Sequence, residues 1–530
     1  MARFRVIRDV SFVVVGGLLL AACAPPAGDE PDSEPGEEAA DEETGSGEEP
    51  EATGGRLIVA RTGDIDNQDP HLATAFQTYQ TLELVYDTLF EFTPDLEVTE
   101  ALAESYEYDE SGTELTLTLR DDAVFHDGSE LDSEDVAASI ERILDEDTGA
   151  VARANLTSIS DVATPDSSTV VLSLSDADAA LPAALADPNT AILSSEAIDD
   201  GNVGSEPMGT GPFTFENWEQ GQEVLLGAHE DYWGDGPYVD EVQFRVIPDE
   251  SSLQAGLSAG EFHIGVMTDP SVVTQIDESE LTVERTPALA YRALMLNNTR
   301  GPLGDQAVRQ AIACAIDREE LVESAVFGEG ETTGPFTTPA FAGDPYDGLP
   351  CDGPDIEMAQ SLLDEAGHGD GFSLETIVIT GEYDTAIDEA QNLQAQLSEI
   401  GVDLELEQLE TNVYVDRWLE ADFDAAVALN GGRPDPHHMY ARYFTSDGNL
   451  NDVATYSSDT LDELFAEGRA ETDPQARTEI YGQISSELLE ASPWAWLFAG
   501  YEYRVLQPEV EGFVPMPTGS LKSLRSVQLG

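Results

Sequence analysis

Arg433, Asp435, His437 and Tyr440 lie close together in the run Asn430-Gly431-Gly432-Arg433-Pro434-Asp435-Pro436-His437-His438-Met439-Tyr440. A guanidinium can hold a carboxylate as a planar fork, a carboxylate can take a cation or cap a helix, and an imidazole can donate, accept or ligate a metal. Arg433 therefore reads as a carboxylate clamp or as cover for a helix end, and Asp435 as a ligand group or as the cap of a helix beginning near His437. His437 and His438 invite a metal, but neighbours in sequence generally point apart and the spacings of a closed site are missing, so no metal is expected. Asn297 and Asn298 end an apolar run, where they could bond a solute or cap a strand. Trp494 and Trp496, in Pro493-Trp494-Ala495-Trp496-Leu497-Phe498, either line a cleft or fill a core. No H-E-x-x-H, phosphate-binding lysine loop or kinase set occurs. The chemistry on offer is the holding of a small molecule, with no catalytic residue and no cofactor expected.

The elements that must position these groups follow from hydrophobic spacing. Phe423 to Leu429 is strand-like and runs straight into the Asn430 loop; ligands of open α/β sheets bind beyond strand carboxyl ends, which makes that loop the leading candidate. Met358–Ala366 and Ala386–Ile400 predict helices, and Phe372–Ile379 and Val402–Leu406 predict strands. That rhythm is one of a mixed or parallel sheet covered by helices. Leu294 to Asn298 predicts a strand, and 305–318 a helix with Val308, Ile312, Ala315 and Ile316 inward. Leu57–Ala60 predicts a buried strand, and a helix is expected from about Thr74 to Phe90 with Leu82, Val85, Tyr86 and Leu89 on one side.

Between Leu115 and Ile143, local signals are densest. Leu115, Leu117 and Leu119 alternate with threonines as in a half-buried strand; Asp127-Gly128 is turn chemistry; Asp132 or Ser133 caps a helix carrying Val136, Ala137, Ile140 and Ile143 at helical spacing. The segment LRDDAVFHDGSELDSEDV (119–136) closely resembles the signature of extracytoplasmic solute-binding proteins serving peptide, opine and nickel ABC importers. Further resemblances are Pro207-Met208-Gly209-Thr210-Gly211-Pro212-Phe213, Tyr232-Trp233-Gly234, Val239 to Pro248, and the asparagine-then-helix block from Asn297 to Arg318.

The resemblance runs from Arg56 to about Pro515. It implies an α/β, two-lobed fold of the type II periplasmic-binding-protein kind with an additional small domain and lobes discontinuous in sequence. Lobe I would comprise about 56–95, 208–290 and 490–530, the extra domain about 96–207, and lobe II about 291–489. The implied function is capture of a solute, a peptide first, in an interlobe cleft, followed by delivery to ABC permease subunits by a monomeric receptor. Nickel-chelate, opine or sugar binding is the alternative within the family, and a secreted hydrolase the alternative outside it. Tyr79 and Gln80 fall in a region that faces ligand in relatives. An aspartate that holds the peptide ammonium in peptide-binding relatives is replaced here by Gly432, which departs from ordinary oligopeptide binding.

A chain of 530 residues, 41% hydrophobic, can bury a large core and exceeds one ordinary domain. Its 107 acidic residues against 22 basic ones give −85, and its only lysine is Lys522. Such a surface repels nucleic acid and anionic lipid and suits concentrated salt or high pH. Residues 1–22 read as a leader, with Arg3, Arg5 and Arg8 before the apolar run Val10–Leu20. Leu20-Ala21-Ala22-Cys23 resembles a lipoprotein box, implying acylation of Cys23 and attachment to the outer face of the cell membrane through lipid alone. Residues 23–55 are acidic and low in apolar content, an expected disordered tether. Cys314 and Cys351 remain: an exported chain permits a disulfide, and a buried free thiol at Cys314 is the alternative.

Overall fold

A computed structural model describes residues 54–530 apart from 381, 382 and 384; Cys23, the leader and most of the expected tether lie outside the described residues. Apolar runs of alternating burial assemble into an eleven-stranded mixed sheet. At one end Arg56–Arg61 lies parallel to Glu241–Val246 and to Ile264–Met267, and the hairpin of Phe213–Glu219 and Glu223–Ala228 forms the edge. At the other end Phe372–Thr380 pairs in parallel with Val402–Glu410 and with Ala425–Asn430. Helices Ile356–Glu365 and Ala386–Ser398 alternate with these strands as the β/α rhythm requires.

Two long strands, Thr282–Leu296 and Trp494–Leu506, join the ends. Thr282 to Pro287 pairs antiparallel with Leu506 to Tyr501; after register shifts between Pro287 and Ala293, the same strand pairs with Ala495 and Trp494 on one edge and with Asn430 to Ala425 on the other. Their inner residues, among them Tyr291, Leu294, Met295 and Trp496, are fully buried. Each such side chain contributes about 1.5–3 kcal/mol by leaving water.

A separate four-stranded antiparallel sheet, Ala103–Tyr108, Glu114–Leu119, Thr169–Leu174 and Ile159–Asp166, packs against helix Ser133–Leu144. The capping is reciprocal: Asp132 accepts from the Glu134 and Asp135 amides at 2.8 and 3.4 Å, while Asp135 accepts from the Asp132 amide at 3.1 Å. In the preceding turn Gly128 takes φ +85°, and Asp127 accepts from the Ser129 amide at 2.9 Å.

Two expectations change, and one open alternative is resolved. The helix expected to reach Phe90 spans only Phe76–Leu82, and Phe90–Phe92 is a strand. Its apolar residues serve two cores: Leu82, Val85 and Tyr86 pack into one, Leu89 and Phe90 into another, so the chain must turn between them. The helix expected over 305–318 breaks into Gln306–Ala315 and Arg318–Ala325, because Asp317 caps the second, accepting from the Glu320 amide at 2.9 Å. Cys314 and Cys351 are joined, with their Cα atoms 6.0 Å apart, so Cys314 is not a free thiol.

Candidate functional site

Strand Ala425–Asn430 ends at a loop whose path is set by backbone contact. A Cβ at Gly432 would fall 1.9 Å from the Leu289 carbonyl oxygen, so residue 432 can carry no side chain without displacing the long strand beneath it. Asp435 then caps helix Pro436–Phe444, accepting from the His437 amide at 2.8 Å. The same carboxylate takes Arg477 in a fork, at 2.7 and 3.1 Å. Burial would raise the Asp435 carboxyl, but Arg477 outweighs it and holds the group below the usual carboxylate range.

This loop forms one wall of a cavity of about 900 Å³, a size suited to a small organic ligand. Asn430, Arg433, Arg442, Trp418 and Tyr443 line this side; Phe76, Tyr79, Gln80, Lys522 and Arg525 line the other. Phe76 is 63% exposed, an apolar ring left for a partner. Gln80 Nε2 donates to the Gly519 carbonyl at 2.9 Å and the Tyr79 hydroxyl to the Ala73 carbonyl at 2.9 Å. Burial, with Asp187 adding to it, pushes the Tyr79 phenol up to about 12.

The cavity's charges stand out against the chain. Its lining holds four bases, Arg433, Arg442, Lys522 and Arg525, and five acids, Glu83, Glu91, Asp187, Asp435 and Glu502. A near-even balance within a chain of −85 marks a pocket shielded from the surface field. Glu91 lies 3.0 Å from both Lys522 and Arg525; burial would raise it, but these cations outweigh burial and hold it at about 2. Glu83 accepts from the Ser520 hydroxyl at 2.7 Å and the Leu521 amide at 2.6 Å. Glu502 pairs with Arg504 at 3.2 Å, and Asp187 with Arg433 at 3.3 Å. Asp187 belongs to the segment following the four-stranded sheet, so its bond to Arg433 crosses the cavity. Outside it, Arg469 and Asp178 meet at 2.7 Å, and the Ala179 amide donates to the Arg469 carbonyl at 2.7 Å.

Of the residues singled out in the sequence, Tyr79, Gln80, Arg433 and Asp435 come together on the lining; the others do not. Asn297 is a strand-end brace whose Nδ2 donates to the Ala421 and Phe423 carbonyls at 2.9 and 3.1 Å. Asn298 binds the Leu296 carbonyl at 2.9 Å. Trp494, Trp496 and Tyr440 are core, with Trp496 Nε1 donating to the Tyr440 hydroxyl at 2.8 Å, because both tryptophans point into the aromatic cluster around Phe444. His437 is half-buried, its ring 6.1 Å from that of Phe465, and desolvation lowers its imidazole to about 3. Among the described residues no group of three or more His, Cys, Asp or Glu stands together as a metal site.

Arg442, Trp418 and the Lys522–Arg525 pair also line the cavity, and the sequence did not single them out as site residues. One signal was available: Lys522 is the only lysine in the chain. Arg442 gave none, since a base two turns into a helix is ordinary until its neighbours are known.

A profile of bacterial extracellular solute-binding proteins, family 5, matches residues 97–452. A glutathione-binding protein of Salmonella paratyphi A is 27% identical over 485 residues, covering 87% of this chain and 92% of that one. Among solved structures, a periplasmic binding protein from Helicobacter pylori in complex with the peptide STSA superposes with TM-score 0.75 at 25% identity, over 90% of this chain and 98% of that one. A binding protein from A. tumefaciens R10 in complex with agropinic acid gives TM-score 0.74 at 28% identity, over 90% and 99%. These neighbours are two-lobed type II binding proteins, and the fold described above is theirs.

Proposed function

The chain belongs to the extracellular solute-binding proteins of family 5, and on that premise we propose that it captures a peptide in the cavity and hands it to the permease of an ABC importer. Family 5 consists of substrate-binding proteins, and the curated relatives and peptide-bound neighbours are the support for a peptide. The observation that carries the reading is the 900 Å³ cavity, whose walls come from both ends of the shared sheet and whose charge is almost balanced.

The protein acts by binding and release, leaving the solute chemically unchanged. Lobe I comprises about 56–95, 208–290 and 490–530, the small domain about 96–207, and lobe II about 291–489. The bonds Arg433–Asp187, across the cavity, and Arg469–Asp178, outside it, tie lobe II to the small domain beside the solute. Tyr79, Gln80, Arg433 and Asp435 belong to the binding wall, the last through its hold on the loop. Cys23 carries lipid, residues 23–55 form the tether, and a monomeric body works at the outer face of the membrane.

Native mass spectrometry of the chain purified gently from rich medium, before and after denaturation, tests this. A ladder of released peptide masses is expected; a single metal-bearing or non-peptide mass would sink the peptide assignment and leave the receptor role standing.

A further inference from the structure

The cavity's donors and acceptors are unequally used. Asn430, 4% exposed, lines the cavity, and its Nδ2 has no acceptor among the described residues, while its Oδ1 takes the Tyr443 hydroxyl at 3.4 Å. Arg442 stands over the Tyr443 ring at 4.7 Å and donates to the Gly431 carbonyl at 3.3 Å. It has no carboxylate partner among the described residues, and its Nε is buried without an acceptor. Arg433 acts electrostatically on the same Tyr443 phenol, so both guanidinium groups converge there. Buried donors left unpaired are costly, and nature rarely leaves two together without a ligand to take them.

Acceptors tell the opposite story. Each of the five carboxylates on the lining already holds a cation or a set of amide and hydroxyl donors. An ammonium entering this cavity meets no unengaged carboxylate among the described residues. A carboxylate meets an amide N–H and a guanidinium fork, and Gly432 adds no side chain that could bring a negative charge beside them. Close by, Val415 and Leu429, 40% and 37% exposed, give the rest of a solute an apolar surface.

We propose that the solute is held by its carboxylate, seated between Asn430 and Arg442, and that its recognition requires no free amino group. Building on the peptide reading, this makes the preferred ligands peptides with a free C-terminal carboxylate, whether or not the N-terminus is blocked.

Three tripeptide libraries, with free termini, with amidated C-termini and with acetylated N-termini, are passed over the immobilised full chain, alongside a pool of apolar non-peptide carboxylic acids and their amides. Retained species are read by mass spectrometry. Free-acid and N-acetyl peptides are expected to be retained, with amides weakened at least tenfold. Arg442→Gln should abolish that preference while the unfolding temperature of the unliganded protein stays put, and Arg442→Lys should restore part of it. Equal retention of amides, or loss of the N-acetyl library, overturns the inference and leaves a peptide receptor. Retention of the non-peptide acids alone keeps the carboxylate site and removes the peptide. If nothing is retained from either pool, both fall.

Discussion

The two basic clusters facing the cavity contain similar side chains in opposite circumstances. Lys522 and Arg525 are locked to Glu91 at 3.0 Å each, with Asp87 3.4 Å from the same ammonium. Arg442, across the cavity, meets among the described residues a peptide carbonyl and an aromatic ring but no carboxylate. Charge alone therefore does not mark a recognition group; what marks it is whether the protein has already supplied the counter-charge. The first cluster is masonry under the floor, and the second is an open hand.

That contrast can be broken most forcefully at Glu91. Glu91→Ala removes the carboxylate shared by two half-buried cations, of which Lys522 keeps Asp87, and is expected to cost about 1–3 kcal/mol in denaturant unfolding, whereas removing Arg442 should leave stability almost unchanged. Equal losses at both positions would erase the distinction.

Acid should reach the two sides in different order. Glu91 is held at about 2 against an ordinary 4.5, so its stabilisation is complete above pH 4.5 and is lost as pH falls from there towards 2. His437, behind the open side, is lowered by burial to about 3 from 6.5. The unfolded chain thus takes up its proton first, and stability drops as pH falls below 6.5. His71 and His126, each lowered to about 4, act in the same direction. Unfolding free energy is expected to decline by about 2 kcal/mol per histidine between pH 6.5 and 5. His437→Gln should flatten that part of the curve, and an unchanged slope would remove His437 from the account.

Gly432→Asp sharpens the comparison from the open side. The new side chain would collide with the Leu289 carbonyl before it could serve as an ammonium anchor, so a loss of about 1–3 kcal/mol in stability is expected without gained affinity for amines. Tighter binding of free-amine peptides by this variant would contradict the packing. The smallest effect belongs to Arg433→Gln: its partly exposed bond to Asp187 should be worth under about 1 kcal/mol, visible as a faster ligand off-rate that high salt reproduces in the unaltered protein.

What could be read ahead of the structure was short-range. Asp132, Asp135 and Asp127-Gly128 act on amides within a few residues, so the strand, turn and helix around them were legible. The loop after Ala425–Asn430 was the leading site candidate because strand ends imply it, and it lines the cavity. Tertiary choices were not legible. Leu82 and Leu89 look alike in a periodic pattern yet enter different cores. Trp494 and Trp496 could face either way until Phe444 and Tyr440 were seen beside them. Arg442 differs from any surface arginine only by the counter-charge it lacks, which no run of neighbours reveals.

The long strands carry one more implication. Between Pro287 and Ala293 their mutual ladder loses register, and Leu289 and Ala290 there line the cavity, with Gly432 resting on the Leu289 carbonyl. An irregular stretch of the shared sheet thus lies directly beneath the cavity. A solute captured there, as proposed above, would press on the two strands that join the ends of the sheet, so its own size and stiffness would bear on how those ends are set.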